Sequence, residues 1–100
     1  MKVVTLCGSM RFAKQMQQIA MELETKHGYC AICPIDAPDF TPDEQDLENL
    51  AKAHFKKIDL ADIVYIVSID GYIGNSVSRE IQYAKEHGKE IIYHENTRED

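Results

Sequence analysis

No stretch of this 100-residue sequence is apolar for long enough to cross a bilayer. The first apolar run, Val3 to Cys7, is also too short for a signal-peptide core, and Gly8 and Ser9 break it at once. The expectation is a cytoplasmic protein with no membrane partner. Basic residues are scarce: 11 Lys and Arg stand against 17 Asp and Glu, a formal charge of −6. With no basic stripe to neutralise a phosphate backbone, a nucleic-acid polymer is not an expected partner. Cysteines number three. Cys30 and Cys33 form a Cys-x-x-Cys pair, but they fall inside Tyr29–Ile35, which reads as a strand and not as the strand-to-helix junction where redox pairs work. Zinc would need a second pair, and only Cys7 remains. The histidines at positions 27, 54, 87 and 94 form no spaced cluster with cysteines or carboxylates. No metal or other cofactor is expected. Internal repeats and low-complexity tracts are absent, and one hundred residues suffice for one core, so residues 1–100 read as a single domain.

What is present is an alternation of short apolar runs and helical periodicities. Lys2–Cys7 is β-rich; Phe12, Met16, Ile19, Ala20 and Leu23 then recur at helical spacing. Gly28 ends that helix, and a second strand runs from Tyr29 to Ile35. After a loop from Pro34 to Phe40, Thr41-Pro42-Asp43-Glu44 signals a helix start in which Thr41 caps, Pro42 takes the first position and Glu44 closes a capping box. Leu47, Leu50, Ala51, His54, Ile58 and Ala61 lie along one side of that helix, which ends near Leu60. Asp62–Ile69 is almost continuously apolar, as a central parallel strand is. A loop over Gly71–Ser76, a third helix with Val77, Ile81 and Ala84 inward, and a last strand at Lys89–Glu95 complete the chain.

This order calls for an α/β three-layer sandwich of the flavodoxin-like or Rossmann-like kind: a four-stranded parallel sheet, order 2-1-3-4, with three helices. Ligands bind in such sheets beyond the carboxyl ends of the strands, where the winding reverses. That point lies between the first and third strands, and it brings together Gly8–Arg11 and Asp70–Ser76. Gly8, Ser9, Met10 and Arg11 offer backbone N–H groups, a hydroxyl and a guanidinium at a helix start, where anions bind, or else a tight turn with Ser9 as cap. They form neither a dinucleotide fingerprint nor a Walker loop. Gly74, Asn75 and Ser76 repeat the chemistry before the third helix. Asp70 serves either loop capping or binding. Glu80, one turn into that helix, can point back toward the cleft, where the helix dipole favours a negative charge. By position alone it is a first-turn charge or a catalyst. His54 is a packed, hydrogen-bonded histidine or a functional one. His27 and His87 complement helix carboxyl ends; Asp62 is structural and Asp59 a solvated charge.

Cys7-Gly8-Ser9-Met10-Arg11-Phe12, Ala61-Asp62 before an apolar strand, Gly71-Tyr72-Ile73-Gly74 before Ser78-Arg79-Glu80-Ile81-Gln82-Tyr83-Ala84, and Gly88-Lys89 before a last strand together resemble the nucleoside 2-deoxyribosyltransferase-like superfamily. It includes the 2′-deoxynucleoside 5′-monophosphate N-hydrolases. The resemblance implies cleavage or exchange of the N-glycosidic bond of a (deoxy)nucleoside or its 5′-monophosphate, with Glu80 as nucleophile, Gly8, Ser9 and Arg11 in the substrate loop, and phosphate near Gly74 and Ser76. It implies no cofactor. In the hydrolases the second helix carries an aspartate where this chain, counted back from Asp62, has His54. His54 then either substitutes as the acid, or the chain is a non-catalytic nucleotide-binding or sensing domain of the same fold. Family members usually continue after the fourth strand into an element that helps complete the neighbouring subunit's site and commonly assemble as dimers, and a four-strand sheet with three helices leaves apolar surface to cover, so a homodimer or higher homo-oligomer is expected.

Overall fold

Alternation along the first apolar run decides how the layers form. In the computed structural model, which describes residues 1–95, strand β1 (Val3–Gly8) sends Val4 and Leu6 to one face and Thr5 and Cys7 to the other, and all four are buried. Strand β3 (Ile63–Ser68) repeats the pattern, with Ile63 and Val67 on the first face and Val64 and Ile66 on the second. Helix α1 (Ala13–His27) covers the first face through Met16 and Leu23. Helices α2 (Glu44–Asp59) and α3 (Asn75–Glu86) cover the second through Ile58, Val77 and Ala84. Each fully buried Leu, Ile or Val contributes about 1.5–3 kcal/mol. Thr5, the one buried polar side chain among the described residues, donates its hydroxyl to the Lys57 carbonyl at 2.8 Å. A hydroxyl left unpaired there would cost about 1–3 kcal/mol.

Strands β2 (Cys30–Ile32) and β4 (Glu90–Glu95) flank this pair, all parallel, in the order β2-β1-β3-β4. The expected sheet order and three-layer α/β arrangement are present. Gly8 lies opposite Val67 in the β1–β3 register, at the carboxyl edge where the winding reverses. The ends of α1 and β3 also match expectation: Gly28 takes φ 69° as a left-handed cap, and Asp62 is structural, its carboxylate accepting the Val3 N–H at 2.8 Å.

Three local expectations are corrected. Strand β2 stops at Ile32 and not at Ile35, because Pro34 has no N–H to donate and β2 pairs with β1 only as far as Thr5. Asp43, not Thr41, caps α2: its carboxylate accepts the Asp46 N–H at 2.8 Å while Asp46 accepts the Asp43 N–H at 3.0 Å, so Asp46 and not Glu44 closes the box. The third helix starts at Asn75, with Gly74 as cap, so Asn75 and Ser76 form its first turn instead of a loop. Asp59, by contrast, is the exposed last residue of α2, as expected of a solvated helix-end charge, and it also accepts the Tyr83 hydroxyl at 2.6 Å.

Helix α2 is amphipathic as expected, but only Ile58 is buried; Leu47, Leu50 and Ala51 are exposed. A crossover helix runs antiparallel to its strands, so the first turns of α2 lie at the carboxyl edge of the sheet. The apolar side of those turns faces a cavity.

Candidate active site

Three segments meet at that edge and enclose a cavity of about 660 Å³. Strand β1 and the turn after it bring Gly8, Ser9 and Met10; α2 brings Leu47, Leu50, Ala51 and His54; α3 brings Asn75, Ser76, Arg79 and Glu80. Ile35, Phe55 and Tyr72 add apolar wall, and Gly74 and Lys57 also border the space. Largely apolar walls with a few convergent polar groups are the character of a small-molecule site.

Gly8 is glycine for a steric reason. A Cβ there would lie 3.0 Å from the Val67 carbonyl oxygen and 3.1 Å from Met16 Sδ. The chain then enters a short 3-10 turn (Met10–Phe12), and the Ser9 hydroxyl accepts the Arg11 N–H at 3.3 Å. Ser9 thus caps a turn and also borders the cavity.

Six of the eight expected ligand-contacting residues line the cavity: Gly8, Ser9, Met10, Gly74, Asn75 and Ser76. Arg11 and Asp70 do not. The Arg11 guanidinium stacks 4.1 Å above the Tyr72 ring, which Phe12 meets edge-on, so Arg11 acts on the cavity wall instead of facing the cavity. Asp70 is exposed in the turn after β3 at φ 54°, a left-handed conformation that Asp tolerates and that serves chain reversal.

Both candidates for chemistry line the cavity, and they touch. His54 Nε2 lies 3.4 Å from Glu80 Oε1, with side chains 12% and 17% exposed, so the pair meets the cavity while largely shielded from solvent. The same Nε2 lies 3.2 Å from Cys7 Sγ. Burial, then the Glu80 charge and a hydrogen bond to that carboxylate, push the Cys7 thiol far above its usual range, and it stays protonated. Sequence spacing shows no cluster of histidine with cysteine and carboxylate; the fold makes one, with donor atoms of Cys7, His54 and Glu80 all within 4.8 Å of one another. It escapes sequence reading because its members come from three elements up to 73 positions apart.

The expected helix-end roles of the other histidines hold in part. His87 Nδ1 lies 2.8 Å from the Tyr83 carbonyl at the end of α3, and its ring stacks on Tyr83. His27, in the last turn of α1, stacks on Tyr29. Cys30, in β2, and Cys33, just beyond its end, are free thiols and only part-buried, not buried as expected. Sequence reasoning gave no role to Cys7, Lys57, Tyr72 or Arg79 at the site. Arg79 had a signal, since it immediately precedes Glu80 and lies one turn beyond Ser76.

No protein-family model and no curated protein matches the sequence. Among solved structures, the fold is similar to a 2-deoxyribosyltransferase from Leishmania mexicana, with TM-score 0.69 and 14% identity over 93% of this chain and 63% of that one. It is similar as well to a CMP N-glycosidase from Clostridium botulinum, with TM-score 0.56 and 18% identity over 92% of this chain and 70% of that one. The chain therefore shares the fold of these two structures. It spans less than two thirds of the first of these structures. No helix among the described residues is long and apolar enough to cross a membrane.

Proposed function

We propose that this chain cleaves or transfers the N-glycosidic bond of a (deoxy)nucleoside or its 5′-monophosphate, with Glu80 as the nucleophile. The observation that carries the reading is the Glu80–His54 contact at 3.4 Å on the wall of a cavity of about 660 Å³. One structural neighbour is a 2-deoxyribosyltransferase and another a CMP N-glycosidase, and both share this fold.

Glu80 attacks the anomeric carbon, the C–N bond breaks, and the electron pair leaves with the base. His54 Nε2 supplies the proton that the departing base needs, the part the related hydrolases give to an aspartate. The resulting glycosyl ester of Glu80 is opened by water, giving free sugar, or by a second base, giving exchange. Developing oxocarbenium charge is stabilised by the neighbouring carboxylate, as in retaining glycosidases. Apolar walls from Leu47, Leu50 and Tyr72 suit a flat base, while Asn75 and Ser76 at the start of α3, with Arg79 one turn on, suit a 5′-phosphate. The exposed apolar side of α2 is covered by a second copy in a homodimer. Three free thiols suit a reducing, cytoplasmic setting.

The test is release of free base from a panel of deoxynucleosides, ribonucleosides and their 5′-monophosphates, with and without an acceptor base. Wild type releases or exchanges base. Glu80→Ala loses at least about a thousandfold, as removal of a nucleophile does, and His54→Ala about a hundredfold or more, as loss of a general acid does. Ligand binding without turnover in the wild type would instead assign a nucleotide-sensing role.

A further inference from the structure

The contact between His54 and Glu80 has a third member that glycosidic chemistry does not use. Cys7 Sγ approaches His54 Nε2 at 3.2 Å, and Nε2 approaches Glu80 Oε1 at 3.4 Å. One imidazole nitrogen therefore faces both a thiol and a carboxylate. A nucleophilic triad needs the two ring nitrogens to face different partners, so this arrangement is not one. Nor can Cys7 attack a substrate, since it is 0% exposed behind the two side chains that line the cavity.

Three different donors converging on one point are instead the pattern of a metal site. We propose that Cys7 Sγ, His54 Nε2 and the Glu80 carboxylate bind a zinc ion whose fourth position opens to the cavity, and that bound zinc silences Glu80. The spacings fit. Tetrahedral zinc with bonds of about 2.3 Å to sulfur and about 2.0–2.1 Å to nitrogen and oxygen places S and N about 3.5 Å apart and N and O about 3.4 Å apart. Here those two pairs are 3.2 Å and 3.4 Å apart, and Cys7 Sγ and the Glu80 oxygen lie within 4.8 Å, a pair that a zinc ion would draw to about 3.5 Å. Small side-chain rotations therefore suffice to admit the ion. Thiolate plus imidazole selects zinc over magnesium, calcium and manganese, which prefer all-oxygen sites.

Binding balances simply. Zinc displaces to solvent the thiol proton as the zinc–sulfur bond forms and the proton that His54 carries on Nε2 as the zinc–nitrogen bond forms, takes one carboxylate oxygen, and keeps a water at the open position. Glu80 then has its electrons committed to the metal and cannot attack the anomeric carbon. Binding stands on the geometry alone; only the inhibition rests on the glycosidic reading.

The experiment is titration of the full chain with cobalt(II), read by the thiolate-to-cobalt charge-transfer and tetrahedral ligand-field bands, followed by competition with zinc. Wild type and a Cys30→Ser/Cys33→Ser double variant should show both bands and equal zinc affinity. Cys7→Ser should lose the charge-transfer band, and both Cys7→Ser and His54→Ala should bind zinc at least about a hundredfold more weakly, beyond what losing an outer-shell partner costs. No charge-transfer band in the wild type, or a band that survives Cys7→Ser and vanishes with Cys30 and Cys33, would overturn the site. In the base-release assay zinc should abolish turnover and a chelator restore it; full turnover with zinc bound would overturn the inhibition while leaving both the site and the activity standing.

Discussion

Single atoms settle much at this site. Gly8 carries no side chain because Val67 and Met16 already fill the place of a Cβ. Gly8→Ala should therefore cost about 1–3 kcal/mol, as overpacking does, measured by urea unfolding, while displacing the turn that holds Ser9. A stability change near zero would mean that β1 and β3 separate more easily than their register implies. The residue-scale reading from sequence was strongest where a residue type and its position agreed. Glu80, one turn into a helix at the switch point, is half-buried on the cavity wall as reasoned. It was weakest where a side chain's direction depends on a partner outside its own element: Arg11 turns to Tyr72, and Asp70 is taken up in chain reversal.

Helix α2 joins core and site in one element. Its carboxyl half is anchored by Ile58 and by Phe55 packing on Tyr83, while Leu47 and Leu50 in its amino half are exposed beside the cavity. A Leu47→Asp/Leu50→Asp variant should fold with nearly unchanged thermal stability, because exposed side chains contribute little to the core. By light scattering, wild type should be a dimer and this variant a monomer; a monomeric wild type would remove the homodimer. Periodicity revealed this helix and its apolar side, because spacing is a local property. It did not reveal which half of that side is covered, because that depends on where the sheet ends beneath it. A local template also misled: Thr41-Pro42 fits a helix start, but the cap is Asp43, whose carboxylate reaches the Asp46 N–H. Strands β1 and β3 were legible for the opposite reason, since continuous apolar runs of that length fit little except a sheet covered on both sides.

For the molecule as a whole, burying the Cys7 thiol in the sheet–helix core makes stability depend on pH. The folded thiol holds its proton far above the ordinary value of 9.0, whereas in the unfolded chain it ionises near that value. The folded-state value is raised, so the stabilisation is complete below pH 9 and falls as pH rises above it, by about 1.4 kcal/mol per pH unit for one proton. Burial also raises the half-buried Cys33 thiol, with Lys57 opposing, which adds to the decline. Unfolding of Cys7→Ala compared with wild type above pH 9 should show a slope shallower by about that one-proton amount; equal slopes would mean that the thiol ionises as easily folded as unfolded.

The proposed glycosidic chemistry would make one species that no sensing domain would form, a covalent sugar ester on Glu80. Rapid acid quench of wild type with a turned-over nucleotide, followed by intact-mass and peptide analysis, tests it most directly. The expected result is a mass increment equal to the sugar or sugar phosphate, confined to the peptide bearing Glu80 and absent from Glu80→Gln. Base release with no adduct, or an adduct that persists in Glu80→Gln, would contradict Glu80 as the nucleophile.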